Sequence, residues 1–224
     1  MTGTAILLAA GRGRRMNAGR NKIFLPLLGV PLLEHALRAF LEVPAIDEFV
    51  VVLAREDMDE GQRVVKAVVP ECRFAEGGEA RRDSSLAGIR AATRDLVLIH
   101  DAARPFPSLE LIHAVLSATQ EVGAAVPTLA IADLLHRVDA DTGRIKEASV
   151  ADTGDMARVQ TPQGFRRDLI LHCLQTSSCD LRDDATAVHR AGHPVATVSG
   201  DPANLKVTCP ADMILAAHIA ASLR

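Results

Sequence analysis

The sequence alternates short apolar runs with longer segments whose apolar residues recur every three or four positions. Residues 4–9 and 49–53 are apolar almost throughout, which is typical of strands buried on both faces of a sheet. Residues 31–43, between these two runs, are predicted to form a helix. Its single apolar stripe is formed by Leu33, Leu37, Phe40 and Leu41. This order of elements predicts parallel strands joined by crossover helices.

The same alternation continues to the end of the 224 residues. Further helices are predicted over residues 56–69, 83–93, 109–122 and 210–223, and further strands over residues 95–99, 123–131 and 195–198, with two short helices before the last strand. Apolar residues make up 48% of the chain, which is enough for a large core. The prediction is an α/β fold: one three-layer domain, residues 1–224, around a mostly parallel, Rossmann-like sheet.

Residues 132–157 interrupt this alternation. They hold six acidic residues, few long apolar runs and the turn sequence Asp141-Thr142-Gly143. We interpret this segment as a hairpin or arm that projects from the sheet.

Composition excludes several classes of partner. A formal charge of −3 gives no bulk attraction to nucleic acid or to an anionic membrane, and aromatic residues for base stacking make up only 3%. The apolar run near the N-terminus is too short to span a membrane and lacks the flanks of a secretory signal. The four cysteines form no CxxC pair, so free thiols in a reducing cytoplasm are expected.

A basic, glycine-containing loop follows the first predicted strand. Between Arg12 and Lys22 there are four arginines and one lysine but no acid, at the sheet edge where α/β folds bind anions. The loop is not a P-loop, and Met16 stands where a dinucleotide-binding GxGxxG motif needs its third glycine. The loop therefore predicts a phosphate-binding site, although a merely solvated charged loop is the alternative.

Several motifs occur together in a fixed order along nearly the whole chain. They are LAAGRGRRM at 8–16, KIFL at 22–25, EGG at 76–78 with Arg81 and Ser84, HDAARP at 100–105, QTPQ at 160–163, DDA at 183–185 and NLKVT at 204–208. In order and approximate spacing they resemble the 2-C-methyl-D-erythritol 4-phosphate cytidylyltransferase family of the non-mevalonate isoprenoid pathway. That family joins CTP to a polyol phosphate and releases pyrophosphate.

The resemblance implies roles for particular residues. Arg15 and Lys22 would stabilise the charge on the α-phosphate in the transition state, Lys206 would steer the incoming phosphate, and Asp101 would hold Mg²⁺. The nucleotide-binding residues would be Ala9, Ala10, Gly11, Gly78, Glu79 and Ser84. A homodimer, in which the arm completes the neighbour's site, is also implied.

Each assignment has a plainer alternative. The alternative for Asp101 is a helix cap or an ion-pair partner of Arg104. The alternative for Lys22 is an ordinary surface lysine. We place Lys206 in a short strand between Asn204 and Thr208, where a core strand would rarely carry a lysine. His100 is expected to be a buried core histidine rather than a metal ligand.

The arm departs from the family pattern at two positions. Asp133 is followed by Leu134 where the family has threonine, and Thr153 stands where the family has an arginine that meets the acceptor's phosphate. Two groups that would hold the acceptor are thus replaced, while the CTP half of the site keeps the family pattern. The acceptor's contacts are assigned to Asp133, Thr153 and Lys206. One of Arg137, Arg144, Lys146 and Arg158 is expected to replace the missing arginine, and Arg158 is the preferred candidate. Two further functions stay open: transfer to another acceptor such as ribitol 5-phosphate, or nucleotide binding without catalysis.

Overall fold

A computed structural model describes residues 2–11, 20–147, 156–177 and 183–223. The strands are β1 (Gly3–Leu8), β2 (Pro26–Leu27), β3 (Val30–Pro31), β4 (Ile46–Leu53), β5 (Arg73–Glu76), β6 (Leu96–Asp101), β7 (Ala124–Ala130), β8 (Arg137–Val138), β9 (Ile145–Glu147), β10 (Ala157–Val159), β11 (Gln163–Arg166) and β12 (Ala196–Ser199). The helices are α1 (Leu32–Leu41), α2 (Met58–Lys66), α3 (Arg81–Ala91), α4 (Leu109–Val122), α5 (Arg167–Thr176), α6 (Asp184–Arg190) and α7 (Pro210–Ser222).

The main sheet has the strand order β10-β7-β11-β6-β1-β4-β5, and β12 also pairs with β7. Strand β1 pairs in parallel with β4 and β6, as do β4 with β5 and β7 with β12. Strands β10 and β11 pair antiparallel with their neighbours. The sheet is thus mixed but mostly parallel, as predicted, and the carboxyl ends of β1, β4, β5 and β6 meet at one edge.

Successive residues of the central strands point to opposite faces, and each face has its own core. Ala5 and Leu7 belong to the cluster that includes α1, α2 and α4, whereas Ile6 belongs to the cluster that includes α3, α5 and α6. These central side chains are fully buried, which explains why their strands are apolar on both faces. The predicted three-layer α/β architecture is confirmed.

The structure corrects three details. Leu41, predicted in the core stripe of α1, is 42% exposed because it is the last residue of that helix. Strand β5 was not predicted: its ends are Arg73 and Glu76, and it lies at the sheet's edge, where charged residues are common. Lys206 is not in a strand but in an irregular segment.

Glu48 joins several segments at the amino end of the sheet, opposite the edge described above. Its carboxylate accepts hydrogen bonds from the hydroxyls of Thr4 and Thr93 and from the Thr93 amide, and it pairs with Arg73. Burial alone raises the pKa of Glu48, but these partners outweigh burial and lower it. Glu48 is therefore a charged structural residue at the end of the sheet without predicted function.

The interpretation of the arm as a hairpin agrees with the structure. Strands β8 and β9 pair antiparallel with each other rather than with the main sheet. Gly143 between them has a φ of +66°, a left-handed conformation that favours glycine in a turn. Among the described residues, no helix is both long and apolar enough to cross a membrane.

Candidate functional site

A cleft of about 340 Å³ opens at the carboxyl edge of the sheet. The loops after β1, β5 and β6 line it, together with the irregular segment that precedes α7. Its described lining includes Ala9, Ala10, Gly11, Lys22, Gly78, Glu79, Arg81, Ser84, Asp101, Lys206 and Thr208. Ligands of open α/β sheets bind at this edge.

Most of the nucleotide-binding residues expected from the motifs lie on two loops that approach each other closely, and Ser84 lies in the first turn of α3. A Cβ at Gly77 would lie 2.4 Å from the Cβ of Ala10 and 2.9 Å from Ser84 Oγ. The chain therefore needs glycine here, because any side chain would push the loop after β5 away from the loop after β1. This close approach brings both loops to one cleft, whose described lining includes Ala9, Ala10, Gly11, Gly78 and Glu79.

Asp101 is the last residue of β6 and lies among three cations. Lys206 Nζ is 2.7 Å from its Oδ2, Arg81 Nη2 is 3.5 Å from its Oδ1, and Arg104 Nε is 3.9 Å from its Oδ2. Burial alone raises the pKa of Asp101, but Lys206, Arg81 and Arg104 outweigh burial and hold it well below its usual range. The carboxylate is therefore ionised at neutral pH.

Lys22 lies in a short 3-10 turn that is capped by Asn21. It is 9% exposed although it is charged, and its Nζ donates to the Val207 carbonyl oxygen at 2.6 Å. Burial of an ammonium group is costly unless it has partners. The plainer reading of Lys22 as an ordinary surface lysine therefore does not hold.

The segment that carries Lys206 is held at several points. Asn204 is fully buried: its side chain donates to the Thr161 carbonyl oxygen, and its own carbonyl accepts from Arg104. The Val207 amide donates to the Ala103 carbonyl oxygen at 2.8 Å. These contacts explain how an irregular segment can place a lysine within hydrogen-bond distance of Asp101.

The same segment is held at the start of α7 by Asp212. Its carboxylate accepts from the amide and hydroxyl of Thr208 and from the Cys209 amide. Burial raises the pKa of Asp212, but these hydrogen bonds prevail and lower it to about 2. The segment with Lys206 is thus held at both ends.

A second cavity of about 320 Å³ adjoins the first. The two share Arg81, Asp101 and Lys206 in their lining. The other described residues of the second cavity are Arg104, Val159, Gln160, Thr161, Gln163, Asp183 and Thr186. The three shared charged residues therefore lie between two cavities, each large enough for part of a ligand.

His100 is a buried core histidine, as expected. Its ring nitrogens contact the Arg104 carbonyl oxygen at 2.9 Å and the Thr161 hydroxyl at 3.1 Å. Burial lowers the pKa of His100 to about 4, so its ring is neutral at pH 7. It supports the end of β6 beside Asp101.

Four predicted site residues are not among the described lining of either cavity. Arg15 and Thr153 are outside the described residues. Asp133 and Arg158 are both exposed, and neither belongs to the described lining of the two cavities. Within the described part of one chain, the structure thus brings together Lys22, Asp101 and Lys206, whereas Asp133 and Arg158 do not line either cavity.

Arg81 and Asp184 lie in or beside the motifs, but the sequence predicts no role for either residue. Arg81 lines both cavities, and the buried Asp184 pairs with it. Arg104 was considered only as a partner of Asp101, yet it lines the second cavity. Their position in motifs was the available signal, because no property of the isolated residues distinguishes them.

Comparison with known proteins gives one consistent result. The family model described as IspD: 2-C-methyl-D-erythritol 4-phosphate cytidylyltransferase matches residues 4–222. The curated protein of that name from Geobacillus thermodenitrificans is 37% identical over 97% of this chain and 96% of its own length.

Solved structures agree. The 2-C-methyl-D-erythritol 4-phosphate cytidylyltransferase of Thermus thermophilus is 34% identical, with a TM-score of 0.78 over 96% of this chain and 98% of that one. The 4-diphosphocytidyl-2C-methyl-D-erythritol synthase of Anaerococcus prevotii is 27% identical, with a TM-score of 0.83 over 100% and 96% of the two chains. Sequence and fold together show that the chain belongs to the 2-C-methyl-D-erythritol 4-phosphate cytidylyltransferase family.

Proposed function

We propose that this protein is a CTP-dependent nucleotidylyltransferase that transfers the cytidylyl group to 2-C-methyl-D-erythritol 4-phosphate and releases pyrophosphate. Family membership over residues 4–222 supports the reaction. The structural observation that carries it is the position of Asp101, Arg81 and Lys206 between two adjoining cavities. One cavity suits the nucleotide, the other suits the acceptor, and the reacting phosphorus belongs at their boundary.

The chemical problem is to bring a phosphate monoester anion to the α-phosphorus of an anionic triphosphate. Positioning and stabilisation of charge supply most of the catalysis in such transfers. Lys22, held against Val207 in the nucleotide cavity, supplies positive charge to the α-phosphate, and Arg15 is proposed to act with it. No general base is needed, because the acceptor phosphate is already ionised at pH 7.

The residues of the cleft fit a divalent cation. Asp101 offers an ionised carboxylate at the boundary of the cavities, and the described residues contain no cluster of three or more candidate metal ligands. One carboxylate completed by phosphate oxygens and water is how Mg²⁺ is usually bound beside nucleotides. We assign Asp101 as the protein ligand of Mg²⁺, which would neutralise triphosphate charge when bound.

Nucleotide recognition is assigned to the two loops that meet at Gly77. The backbone of Ala9, Ala10 and Gly11 would face the nucleotide, while Gly78, Glu79 and Ser84 would contact the cytosine edge. Backbone groups and one hydroxyl can distinguish an amino group from a carbonyl by their donor and acceptor pattern.

The acceptor is proposed to occupy the second cavity, where Lys206 and Arg104 supply positive charge. Asp133 and Thr153 of the arm and Arg158 of β10, all from a second chain, would complete this site. Apolar side chains exposed on the arm support a homodimer: Leu134 is 73% exposed, and the paired residues Val138 and Ile145 are 54% and 58% exposed. The free thiols of Cys72 and Cys173 suit the cytoplasm, its proposed location.

The reaction is tested by measuring pyrophosphate release with CTP, MgCl₂ and a panel of polyol phosphates. We expect release with 2-C-methyl-D-erythritol 4-phosphate at a kcat/KM at least about a hundredfold above that with ribitol 5-phosphate, because the site must match the acceptor's hydroxyls. A preference for ribitol 5-phosphate would overturn the acceptor. The absence of release with every acceptor would favour nucleotide binding without catalysis.

The dimer is tested by changing the apolar pair of the arm. We expect the double variant Val138→Asp/Ile145→Asp to sediment with half the mass of the wild type and to raise the KM for the acceptor, because charge is costly in an apolar interface. Leu215→Asp, at an exposed apolar position on α7, is the matched control and should stay dimeric. A wild-type chain that sediments as a monomer contradicts the proposal.

A further inference from the structure

Asp184 is a buried carboxylate whose presence is not explained by direct contact with either cavity. It lies at the start of α6 and is 1% exposed, and it is not in the described lining of either cavity. Its neighbour Asp183 has a plain structural role, since it caps α6 by accepting from the Thr186 amide and hydroxyl. Buried carboxylates are costly unless they are paired, and the partner of Asp184 is Arg81.

Arg81 joins Asp184 to Asp101 through two different nitrogens. Its Nη1 pairs closely with Asp184, whereas its Nη2 stays 3.5 Å from Asp101 Oδ1. A guanidinium fork can contact two acids in this way, and a lysine ammonium cannot do so with the same geometry. The stronger contact is thus made with the acid that lies outside the cavities.

This arrangement leaves the two oxygens of Asp101 in different states. Oδ2 is occupied by Lys206 at 2.7 Å, while Oδ1 has Arg81 only at 3.5 Å, which is too long for a strong charge-assisted hydrogen bond. A cation that shares Asp101 with Lys206 needs this second oxygen. If Arg81 moved onto Oδ1, both oxygens would be occupied by positive groups.

We propose that Asp184 is a positioning residue. Asp184 lies outside the cavities and pairs with Arg81, which keeps the guanidinium of Arg81 from moving onto Asp101 Oδ1. This oxygen therefore stays accessible to the divalent cation that accompanies CTP. The inference rests on the proposed binding of Mg²⁺ at Asp101. Asp184 also supplies a negative charge behind Arg81, which lowers the electrostatic cost of adding a cation near Arg81, Arg104 and Lys206.

This proposal predicts that only the binding of the divalent cation is weakened. Removal of the Asp184 charge makes the site more positive, so the divalent cation binds less tightly while metal-free CTP, an anion, binds no less tightly. General damage to the site would weaken both. The difference between the two effects therefore separates a positioning role from a merely structural one.

The measurement is calorimetric titration of CTP into the protein, once in EDTA and once in MgCl₂. The dissociation constant in EDTA divided by that in MgCl₂ reports how much Mg²⁺ strengthens the binding of CTP to the protein, and it requires no turnover. We expect Asp184→Asn to reduce this ratio about tenfold relative to the wild type, with the dissociation constant in EDTA unchanged or lower. Asp184→Glu, which keeps the charge, should restore most of the ratio.

A second variant tests whether Asp184 acts through Arg81. In Asp184→Asn/Arg81→Gln the guanidinium that would move onto Asp101 is gone, so we expect the ratio to return to within about threefold of the wild type. This double change also leaves no unpaired buried charge, so it tests the proposal even if Asp184→Asn does not fold. A ratio as low in the double variant as in the single one would overturn the route through Arg81.

Glu48→Gln is the matched control, because it removes a buried carboxylate at the opposite end of the sheet. It should lower the free energy of unfolding and leave the ratio unchanged. An unchanged ratio in Asp184→Asn, with a wild type that responds to Mg²⁺, overturns this inference alone. A wild type whose affinity for CTP is the same in EDTA and MgCl₂ overturns both the inference and the proposed metal site.

Discussion

Asp101→Asn is expected to reduce the rate of pyrophosphate release by at least about a thousandfold, the largest effect of any single change considered. The amide cannot replace an ionised carboxylate as a ligand of Mg²⁺. It also leaves Lys206 and Arg81 without their shared counter-charge at the boundary of the cavities. The two losses act on the same phosphorus centre, so raising the concentration of MgCl₂ should not restore the rate.

The measurement is single-turnover pyrophosphate release over a range of MgCl₂ concentrations, with EDTA as the metal-free reference. Asp95→Asn is the matched control: this exposed acid precedes β6, at the opposite end of the strand from Asp101, and its change should leave the rate unaltered. Full activity of Asp101→Asn at high MgCl₂ would contradict the assignment of Asp101 as the metal ligand.

Lys22→Met is expected to slow pyrophosphate release by about two to three orders of magnitude. Methionine keeps most of the apolar length of the buried side chain but removes the ammonium group that contacts Val207 and faces the nucleotide cavity. The charge is needed most in the transition state, when negative charge builds up around the α-phosphorus. The effect should therefore appear mainly in kcat rather than in the KM for CTP.

The loss of the Lys22–Val207 contact has a second consequence that must be separated from catalysis. Val207 follows Lys206, so Lys22→Met also loosens the segment that carries Lys206. Lys22→Arg keeps the charge and should retain more activity than Lys22→Met if charge is the main contribution. Lys66→Met, at an exposed position on α2, is the surface control; equal losses for Lys22→Met and Lys66→Met would contradict a specific role.

The spacing of apolar residues predicted most of the fold, because buried positions carry apolar residues and their spacing differs between helices and strands. The central parts of β1 and β4 are buried on both faces and are therefore apolar almost throughout, as in residues 49–53 of β4. Strand β5 was missed for the converse reason. At the edge of the sheet Phe74 and Ala75 are only half-buried, and Arg73 and Glu76 are exposed, so the apolar pattern is too short to recognise. The prediction of a short strand at Lys206 was wrong, because hydrogen bonds from distant segments hold this part of the chain in an irregular conformation.

The amino-acid sequence by itself determined the α/β class, the hairpin of the arm, the family and the motifs that contain Lys22, Asp101 and Lys206. All of these depend on local pattern or on the order of motifs, which a linear chain records. Only the tertiary structure decided that Asp101 is shared by two cavities and that Arg81 divides its contacts between Asp101 and Asp184. Arg81 and Asp184 are 103 positions apart, and a charge pair over such a separation exists only after the sheet and helices have brought its members together. Electrostatic and hydrogen-bond energies depend on distances of a few ångströms, and the fold sets those distances.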